Sequence, residues 1–439
     1  MDVFTTYCKG EPKEMLLNTL KAIKQIKYPH GSYLCDESND TELRKFCLDN
    51  DIFYVTRKKK IDAKAGNINN ALKYSTSEIV LILDPDHVPV PDFLDRVLPY
   101  FNDISVGFVQ CIQSYYNHHE TFISRAAAEQ SFHFYGPMMM CNNSYNSVQA
   151  IGANCTFRRA ALNSIGGHAS GLAEDMHTSM MLQDKGWKSI YVPESLSKGL
   201  CPSTLSSYFN QQLKWSRGVF ELLFRLISGF FSDLKIQQKI YYFSSSLFFL
   251  SGLFQMFELL LPFFSLWFSL APIKINVEYF IIGCVILLLL VYSIRIYVQR
   301  WLPERNERGF HLKGGILLIG SWWIFLLGFI YSIFRVKVPY LPTPKSNKYS
   351  NDWLIAFPGF LLFVLSLPIC FYGMEKDLTP FSVFMSIVFW VQLLPGFILF
   401  LNAIIPSIPF LLDHFFNCQL NQLKAILSSI SFLFRSVGN

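Results

Sequence analysis

The feature that most constrains the fold of this chain is a series of long apolar runs in its second half. Each run is long enough to cross a bilayer as a helix. The runs centre on residues 242–268, 278–298, 313–333, 353–373 and 380–404. The earlier part of the chain has the residue mixture of a water-soluble domain. We therefore expect a soluble domain followed by a membrane domain.

Composition and charge narrow the possible functions. Hydrophobic residues make up 51% of the 439 residues, which is high for an ordinary soluble enzyme. The net charge of +6 is modest, and basic and aromatic residues do not interleave in a patch, so we expect no nucleic-acid partner. The N-terminus has no signal peptide. The chain begins directly in a strand-like run, so we expect that upstream sequence is missing or was trimmed.

The soluble half predicts an α/β sheet. Short β-prone runs at residues 3–7, 32–35, 52–55 and 79–83 alternate with helical patterns. Strands that alternate with helices indicate a parallel sheet. Acidic residues follow two of these runs, at the edge where such sheets bind ligands.

Two aspartates end the last of these runs. Asp84 and Asp86 follow residues 79–83 with one residue between them. Two carboxylates at this spacing can hold a divalent cation and, through it, a diphosphate. The pair predicts a metal-dependent phosphate site, of a kind that many phosphate-handling enzymes share.

Three further segments each allow a functional and a purely structural interpretation. Lys64 precedes a helix and could bind phosphate, or it could be a solvated lysine beside a capped surface helix. Glu174 and Asp175 open a helix, where they favour its dipole or provide a general base. Trp215 suits an interfacial anchor or a platform that stacks on a sugar ring.

Taken together and in order, these motifs resemble the processive family 2 glycosyltransferases, and most closely the bacterial cellulose synthase catalytic subunit. Hyaluronan and chitin synthases are similar at a greater distance. The resemblance implies a GT-A glycosyltransferase fold, an α/β domain with a parallel-rich sheet flanked by helices, followed by an α-helical transmembrane domain. The matching segments are Asp2–Phe4, Gly10–Pro12, Asp36, Ala63–Asn67, Asp84–Pro89, Val109–Gln110, Phe157–Arg159, Glu174–Asp175 and Gln211–Trp215.

The resemblance implies a donor site. Glu11 and Asp36 would hold the uridine of a UDP-sugar, and Lys64 would contact the diphosphate or the ribose. Asp84 and Asp86 would bind the donor together with Mg²⁺ or Mn²⁺, with Asp86 as the more direct metal ligand.

The resemblance also implies roles on the acceptor side. Asp175 would be the general base, and Gln211 and Lys214 would steady the diphosphate. Trp215 would stack on the terminal sugar of the acceptor. A single attack of this kind inverts the anomeric centre, so an α-linked donor would give a β-linked product.

Three positions depart from the family pattern. Glu37 and Ser38 replace the second aspartate and the glycine of the usual Asp-Asp-Gly. Lys214 stands where the family usually has arginine. Lysine keeps the charge but loses the bidentate fork, so we expect a looser contact with the diphosphate.

Basic residues determine the topology that we expect for the helical half. The run at 313–333 has basic residues beyond both of its ends, which favour the cytoplasmic side. A segment with the same side at both ends cannot cross, so we expect an interfacial helix there. Four spans then remain, near 242–268, 278–298, 353–373 and 380–404. The alternative is a fifth span with the basic loop outside.

The predicted domains follow from these segments. They are a cytosolic catalytic domain at 1–204, interfacial amphipathic helices at 205–236, a channel domain at 237–408 and an amphipathic tail at 409–439. Residues 337–348 resemble the gating loop of cellulose synthase, in which Thr343 and Lys345 would reach the diphosphate. A proline-rich linker is the alternative. We find no cyclic-di-GMP-binding domain and do not expect that mode of activation.

The predicted function is that of a membrane-embedded, processive, inverting glycosyltransferase. It would polymerise a β-linked polysaccharide and secrete it through its own channel. The polysaccharide that we expect is a glucan made from UDP-glucose. The linkage stays open between β-1,4 and a capsular or exopolysaccharide β-1,3 or β-1,2 glucan. Alternatives are a hyaluronan- or chitin-type synthase that uses UDP-GlcNAc, a non-processive transferase acting on a lipid carrier, and a transporter with an inactive soluble domain.

The expected surroundings follow from this function. The partners would be the UDP-sugar, the nascent polysaccharide, the lipid bilayer and accessory export proteins. The chain would cross the plasma or inner membrane several times, with its catalytic domain on the cytoplasmic side.

Overall fold

The structure is a computed structural model that describes residues 1–270, 276–339 and 352–405. Within these residues the strands are β1 Asp2–Tyr7, β2 Gly31–Asp36, β3 Phe53–Val55, β4 Ile79–Leu83, β5 Val88–Pro89, β6 Val106–Cys111, β7 Ser114–Tyr115, β8 Cys155–Arg158, β9 Lys188–Val192 and β10 Ser197–Gly199.

The α-helices of the described residues fall into two groups. In the first part of the chain they are α1 Lys13–Lys24, α2 Thr41–Asp49, α3 Ala63–Ala71, α4 Phe93–Val97, α5 Phe122–His133, α6 Met139–Asn143, α7 Arg159–Ser164 and α8 Glu174–Asp184. From residue 205 onward they are α9 Leu205–Ile227, α10 Ile236–Phe249, α11 Ser251–Phe268, α12 Val277–Val298, α13 Leu312–Gly320, α14 Trp322–Ile333, α15 Asp352–Lys376 and α16 Pro380–Ile404.

A seven-stranded sheet organises the first half of the chain, residues 1–204. Its strand order is β3-β2-β1-β4-β8-β6-β9, and β8 runs antiparallel to both of its neighbours while the other pairs are parallel. All five residues of β4 are buried. A parallel sheet covered on both faces needs such continuous apolar strands. The predicted fold class, a parallel-rich α/β domain followed by apolar helices, is confirmed.

The two faces of the sheet carry separate hydrophobic cores. Alternate residues of β4 point to opposite faces, so Leu81 joins the core under α1 and Ile82 joins the core under α3. The sheet thereby fixes α1 and α3 relative to the carboxyl ends of β1 and β4. There is also a small second sheet, ordered β5-β10-β7, whose strand β5 follows β4 in the chain.

The helical half contains segments of transmembrane length. Among the described residues, four helices are long and apolar enough to cross a membrane. They are Ser251–Phe268, Val277–Trp301 (α12 extended by the 3₁₀ turn Gln299–Trp301), Asp352–Lys376 and Pro380–Ile404. The helices α13 and α14 are bent by 45° and would count as a fifth only if the pair were one span.

The apolar run at 242–268 is divided in the structure. It comprises the second half of α10 and the whole of α11, which meet at Leu250. The apolar composition is continuous across this junction, so the sequence pattern did not separate the two helices. The predicted interfacial segment 205–236 corresponds to α9 and the turn that leads into α10.

Candidate active site

A cleft of about 450 Å³ lies where the ends of β1, β2 and β4 face α8 and α9. The cleft is lined by several of the residues that the sequence analysis singled out. They are Lys64, Asp84, Asp86, Asp175, Gln211, Lys214 and Trp215. The fold therefore brings together side chains from four separate segments of the chain.

The turn after β4 presents a candidate metal site. One ligand atom from each of Asp84, Asp86 and His87 lies within 4.8 Å of the other two. Asp86 Oδ2 accepts a hydrogen bond of 2.7 Å from the backbone N–H of Leu200, at the end of β10. Its other oxygen lies 3.4 Å from His87 Nδ1. The small sheet that contains β10 thus orients this carboxylate.

His87 is a member of this cluster to which the sequence analysis assigned no role. It is buried, and its Nε2 lies 3.1 Å from Gln113 Oε1. The available signal was its place directly after Asp86, since imidazole is a common metal ligand.

Lys64 occupies the first turn of α3 and points into the cleft. Its Nζ donates to Asp84 Oδ1 and, over 2.6 Å, to the carbonyl of Gly152. Burial disfavours the charged ammonium, but the carboxylates of Asp84 and Glu174 outweigh that effect and raise the pKa of Lys64. Lys64 therefore remains a cation that can face a diphosphate.

Asp175 opens α8 on the opposite side of the cleft. Its Oδ1 accepts a hydrogen bond of 2.8 Å from the backbone N–H of Met176. Burial and the neighbouring Glu174 carboxylate raise the pKa of Asp175 to about 7, against the opposing effects of the Met176 N–H, Lys64 and Lys214. A carboxyl group with a pKa near the working pH is suited to general-base catalysis.

Helix α9 supplies one wall of the cleft. Gln211, Lys214 and Trp215 are spaced three and four residues apart, so they share one helical face. The helix begins in a capping box at Thr204, and its first N–H groups at Leu205 and Ser206 also donate to Asp352, each over 2.9 Å. A carboxylate at the start of α15 therefore helps to fix the helix that carries these residues.

Asp36 and Glu11, the residues expected to hold the uridine, lie near the ends of β2 and β1. Asp36 is fully buried, and its carboxylate accepts hydrogen bonds from Ser38, Asp40 and Tyr54. Glu11 accepts from the backbone N–H of Cys8. Neither Asp36 nor Glu11 is among the residues that line the cleft as described.

Other groups line the cleft at that end. They are Thr6, Tyr7, Cys8 and Glu37. The sequence had marked Glu37 only as a departure from the family pattern. Thr343 and Lys345, proposed for a gating loop, lie outside the described residues, and so does the tail from 409 onward.

Comparison with protein families bears out the resemblance. Residues 5–218 match the family described as "Glycosyltransferase like family 2", and residues 162–352 match the family "Cellulose synthase". The two matches overlap in the segment that contains α8 and α9.

Curated relatives point the same way. The chain is 31% identical over 264 residues to the cellulose synthase catalytic subunit of Xanthomonas axonopodis pv. citri, a match that covers 57% of this chain and 36% of the relative. It is 29% identical over 244 residues to the cellulose synthase 1 catalytic subunit of Komagataeibacter xylinus, with 54% and 33% covered. The chain thus spans about a third of the length of these relatives.

Solved structures show a weaker similarity to this chain. A mannosyltransferase from Pyrobaculum calidifontis in complex with GDP-Man and Mn²⁺ has a TM-score of 0.47 at 15% identity, with 76% of this chain and 87% of that chain covered. S. aureus TarS 1–349 in complex with UDP-GlcNAc has a TM-score of 0.39 at 13% identity, with 56% and 71% covered. Neither likeness bears on the substrate of this chain. On the family matches and the curated relatives, residues 5–218 are similar to family 2 glycosyltransferases, and the overlapping residues 162–352 are similar to cellulose synthases.

Proposed function

We propose that this chain is a membrane-embedded, processive, inverting glycosyltransferase that builds a β-linked polysaccharide from a UDP-sugar and passes it out through its own helices. The observation that carries the proposal is the content of the cleft. The Asp84–Asp86 turn, the cation Lys64, the candidate base Asp175 and the flat ring of Trp215 all face the same space.

The proposed chemistry uses opposite sides of the cleft. Asp175 accepts the proton of the acceptor hydroxyl as this oxygen attacks the anomeric carbon of the donor. The bond to UDP breaks on the other side, where Lys64 and Lys214 face the negative charge that develops on the diphosphate. Trp215 holds the terminal sugar of the acceptor by stacking on its apolar face. The anomeric centre is inverted in this displacement.

The residues after β4 fit a divalent cation. Two carboxylates and an imidazole whose ligand atoms lie within 4.8 Å of one another form a donor set for Mg²⁺ or Mn²⁺. A cation held by Asp84, Asp86 and His87 would neutralise charge on the leaving diphosphate.

The charge of the cleft favours a neutral sugar. Among its described lining residues, Lys64 and Lys214 are the cations opposite a larger set of acids. The acids are Glu37, Asp84, Asp86, Glu120, Glu174 and Asp175. A uronic acid would add another negative charge to this space. We therefore propose a neutral hexose as the transferred sugar and UDP-glucose as its donor.

The helical half supports a membrane location. None of the residues of α12 is buried, although the helix is strongly apolar. The helix α10 presents Ile236, Ile240, Phe243 and Leu247 outward, at helical spacing. A surface of this kind is stable against lipid tails and unfavourable in water. We propose the four long helices as spans, the bent α13–α14 pair as an interfacial element, and a cytoplasmic catalytic domain.

The opposite face of α10 attaches it to the catalytic half. Tyr242 donates a hydrogen bond of 2.9 Å to Gln183 of α8, and Gln238 donates one of 2.7 Å to the carbonyl of Asn146. The polar face of α10 is therefore turned to the protein and its apolar face away from it. This arrangement is typical of a helix that lies between a domain and a membrane.

A donor panel tests the proposal. The full chain in lipid nanodiscs, supplied with Mg²⁺ or Mn²⁺, is offered UDP-glucose, UDP-GlcNAc and UDP-glucuronic acid, and UDP release is followed by linkage analysis of the product. We expect turnover of UDP-glucose and a β-linked glucan. Preference for UDP-GlcNAc, or a requirement for two alternating donors, would mean that the product is a polymer other than a glucan. Transfer of a single sugar to a lipid would contradict processive synthesis.

A further inference from the structure

The loop between β3 and α3 carries an unusual backbone immediately before Lys64. Asp62 and Ala63 both have positive φ angles, 59° and 41°. Residues with a side chain rarely adopt this left-handed region, and two in succession persist only where neighbouring groups hold them. Glycine would adopt it without the steric penalty.

Arg57 holds this turn from inside the protein. Its guanidinium donates to the carbonyl of Ile61 and, over 2.7 Å, to the carbonyl of Ala63. These two carbonyls lie on either side of Asp62. The same guanidinium forms an ion pair with Glu37, and the Arg57 side chain is only 5% exposed.

This left-handed turn also determines where α3 begins. The first hydrogen bond of that helix runs from the N–H of Gly66 to the carbonyl of Asp62, over 2.9 Å. Lys64 projects from this first turn to Asp84 and to Gly152. A change in the backbone at Asp62 and Ala63 would therefore move the ammonium of Lys64 within the cleft.

We propose that Arg57, fixed by Glu37, is a positioning residue that holds the left-handed turn and so presents Lys64 to the diphosphate of the donor. This inference deepens the proposed function and rests on it for the identity of the ligand. It also gives Glu37, which lines the cleft and departs from the family pattern, a definite task.

A second buried arginine provides a matched control. Arg158 donates to the carbonyls of Phe101 and Val106, over 2.6 and 3.0 Å, and pairs with Glu78. Its side chain is 7% exposed, and it is not among the residues that line the cleft as described. Loss of either arginine leaves buried carbonyls without a donor, so both losses destabilise the fold. Only the loss of Arg57 is expected to change donor kinetics.

The test is a double-mutant cycle on the full chain in nanodiscs. We expect Arg57→Ala to raise the KM for the UDP-sugar on the order of tenfold, with a smaller change in kcat. Arg158→Ala should lower Tm and leave KM unchanged. In the Ala63→Gly background, where only Asp62 still pays the cost of a positive φ angle, Arg57→Ala should raise KM by a clearly smaller factor. Glu37→Gln should reproduce part of the Arg57→Ala effect.

A second readout does not depend on turnover. Hydrogen exchange at the Gly66 amide should be faster in Arg57→Ala than in the wild type, and this difference should shrink in the Ala63→Gly background. If the wild type releases no UDP from any UDP-sugar, the proposed function fails and the exchange experiment alone decides the positioning role. Equal KM values for the wild type and Arg57→Ala, or an exchange difference that Ala63→Gly does not reduce, would overturn it.

Discussion

The catalytic half and the helical half of this chain contain the same types of apolar residue, but in β4 these residues are buried and in α12 they are not. All five residues of β4 are buried, whereas none of those in α12 is, although both segments are rich in Ile, Leu and Val. In the catalytic half the apolar residues face one another and leave the polar groups to the cleft. In α12 they face outward, which is favourable where lipid replaces water. The difference supports the proposal that the first half carries the chemistry and the second half contacts the membrane.

The largest effect is expected from a matched pair of leucines, one in each half. Leu81 in β4 has 0% exposure and Leu288 in α12 has 67%. Leu81→Ala should lower the free energy of unfolding by about 2–5 kcal/mol, because it leaves a cavity in a packed core. Leu288→Ala should cause no measurable loss in nanodiscs, because lipid can fill the space. Thermal denaturation of the two variants measures their losses in the free energy of unfolding. Equal losses in the two variants would contradict the assignment of α12 to the lipid.

The pH dependence of turnover sharpens the chemical side of the comparison. Burial and Glu174 raise the pKa of Asp175 to about 7, and the base must be unprotonated to act. The value of kcat/KM should therefore fall as the pH is lowered below about 7, by about tenfold per pH unit. Glu174→Gln removes one of the charges that raise this pKa and should shift the profile to lower pH. A profile that is flat from about pH 6 to about pH 8 would exclude Asp175 as the titrating base.

The junction between the halves should show an intermediate effect. Asp352, at the start of α15, caps the first N–H groups of α9, which carries Lys214 and Trp215. Asp352→Ala should lower the free energy of unfolding by about 1 kcal/mol and should also reduce kcat/KM. Thr379 accepts from Ser382 N at the start of α16, within the helical half alone. Thr379→Ala should lose similar stability without a change in kinetics, and kinetic loss in both variants would remove the special role of the Asp352 contact.

The smallest effect is expected at Lys214, on the helix that joins the two halves. Replacement by arginine restores a bidentate fork and keeps the charge. Lys214→Arg should lower the KM for the UDP-sugar by roughly two- to threefold, because guanidinium groups match phosphate geometry. Lys214→Gln, measured beside it, should raise KM. An unchanged KM in both variants would mean that this side chain does not reach the diphosphate.

Much of the fold could be predicted from the sequence because its signals are local. The alternation of strands and helices predicted the sheet, and the end of the apolar run at Leu83 placed the paired aspartates at its edge. The antiparallel direction of β8 could not be predicted, since a buried strand has the same composition in either direction. The division of the apolar run at Leu250 was missed because both helices are apolar there.

The candidate site could be predicted only in part. Residues that project from the ends of elements into the cleft, such as Asp86 and Asp175, carry chemistry that their types reveal. The Arg57–Glu37 ion pair joins segments distant in the chain, and such contacts have no local pattern. His87 was missed although it directly follows Asp86. The buried position of Asp36 likewise depends on Tyr54 from a neighbouring strand.

The most direct test of the account compares Asp175→Asn with the wild type in the presence of UDP-glucose. The two side chains have nearly the same size, so UDP binding should persist while UDP release falls by about 10²–10⁴-fold. Retained binding with turnover lost is the predicted result. Equal UDP release by the two proteins would contradict the claim that Asp175 activates the acceptor in a glycosyl transfer.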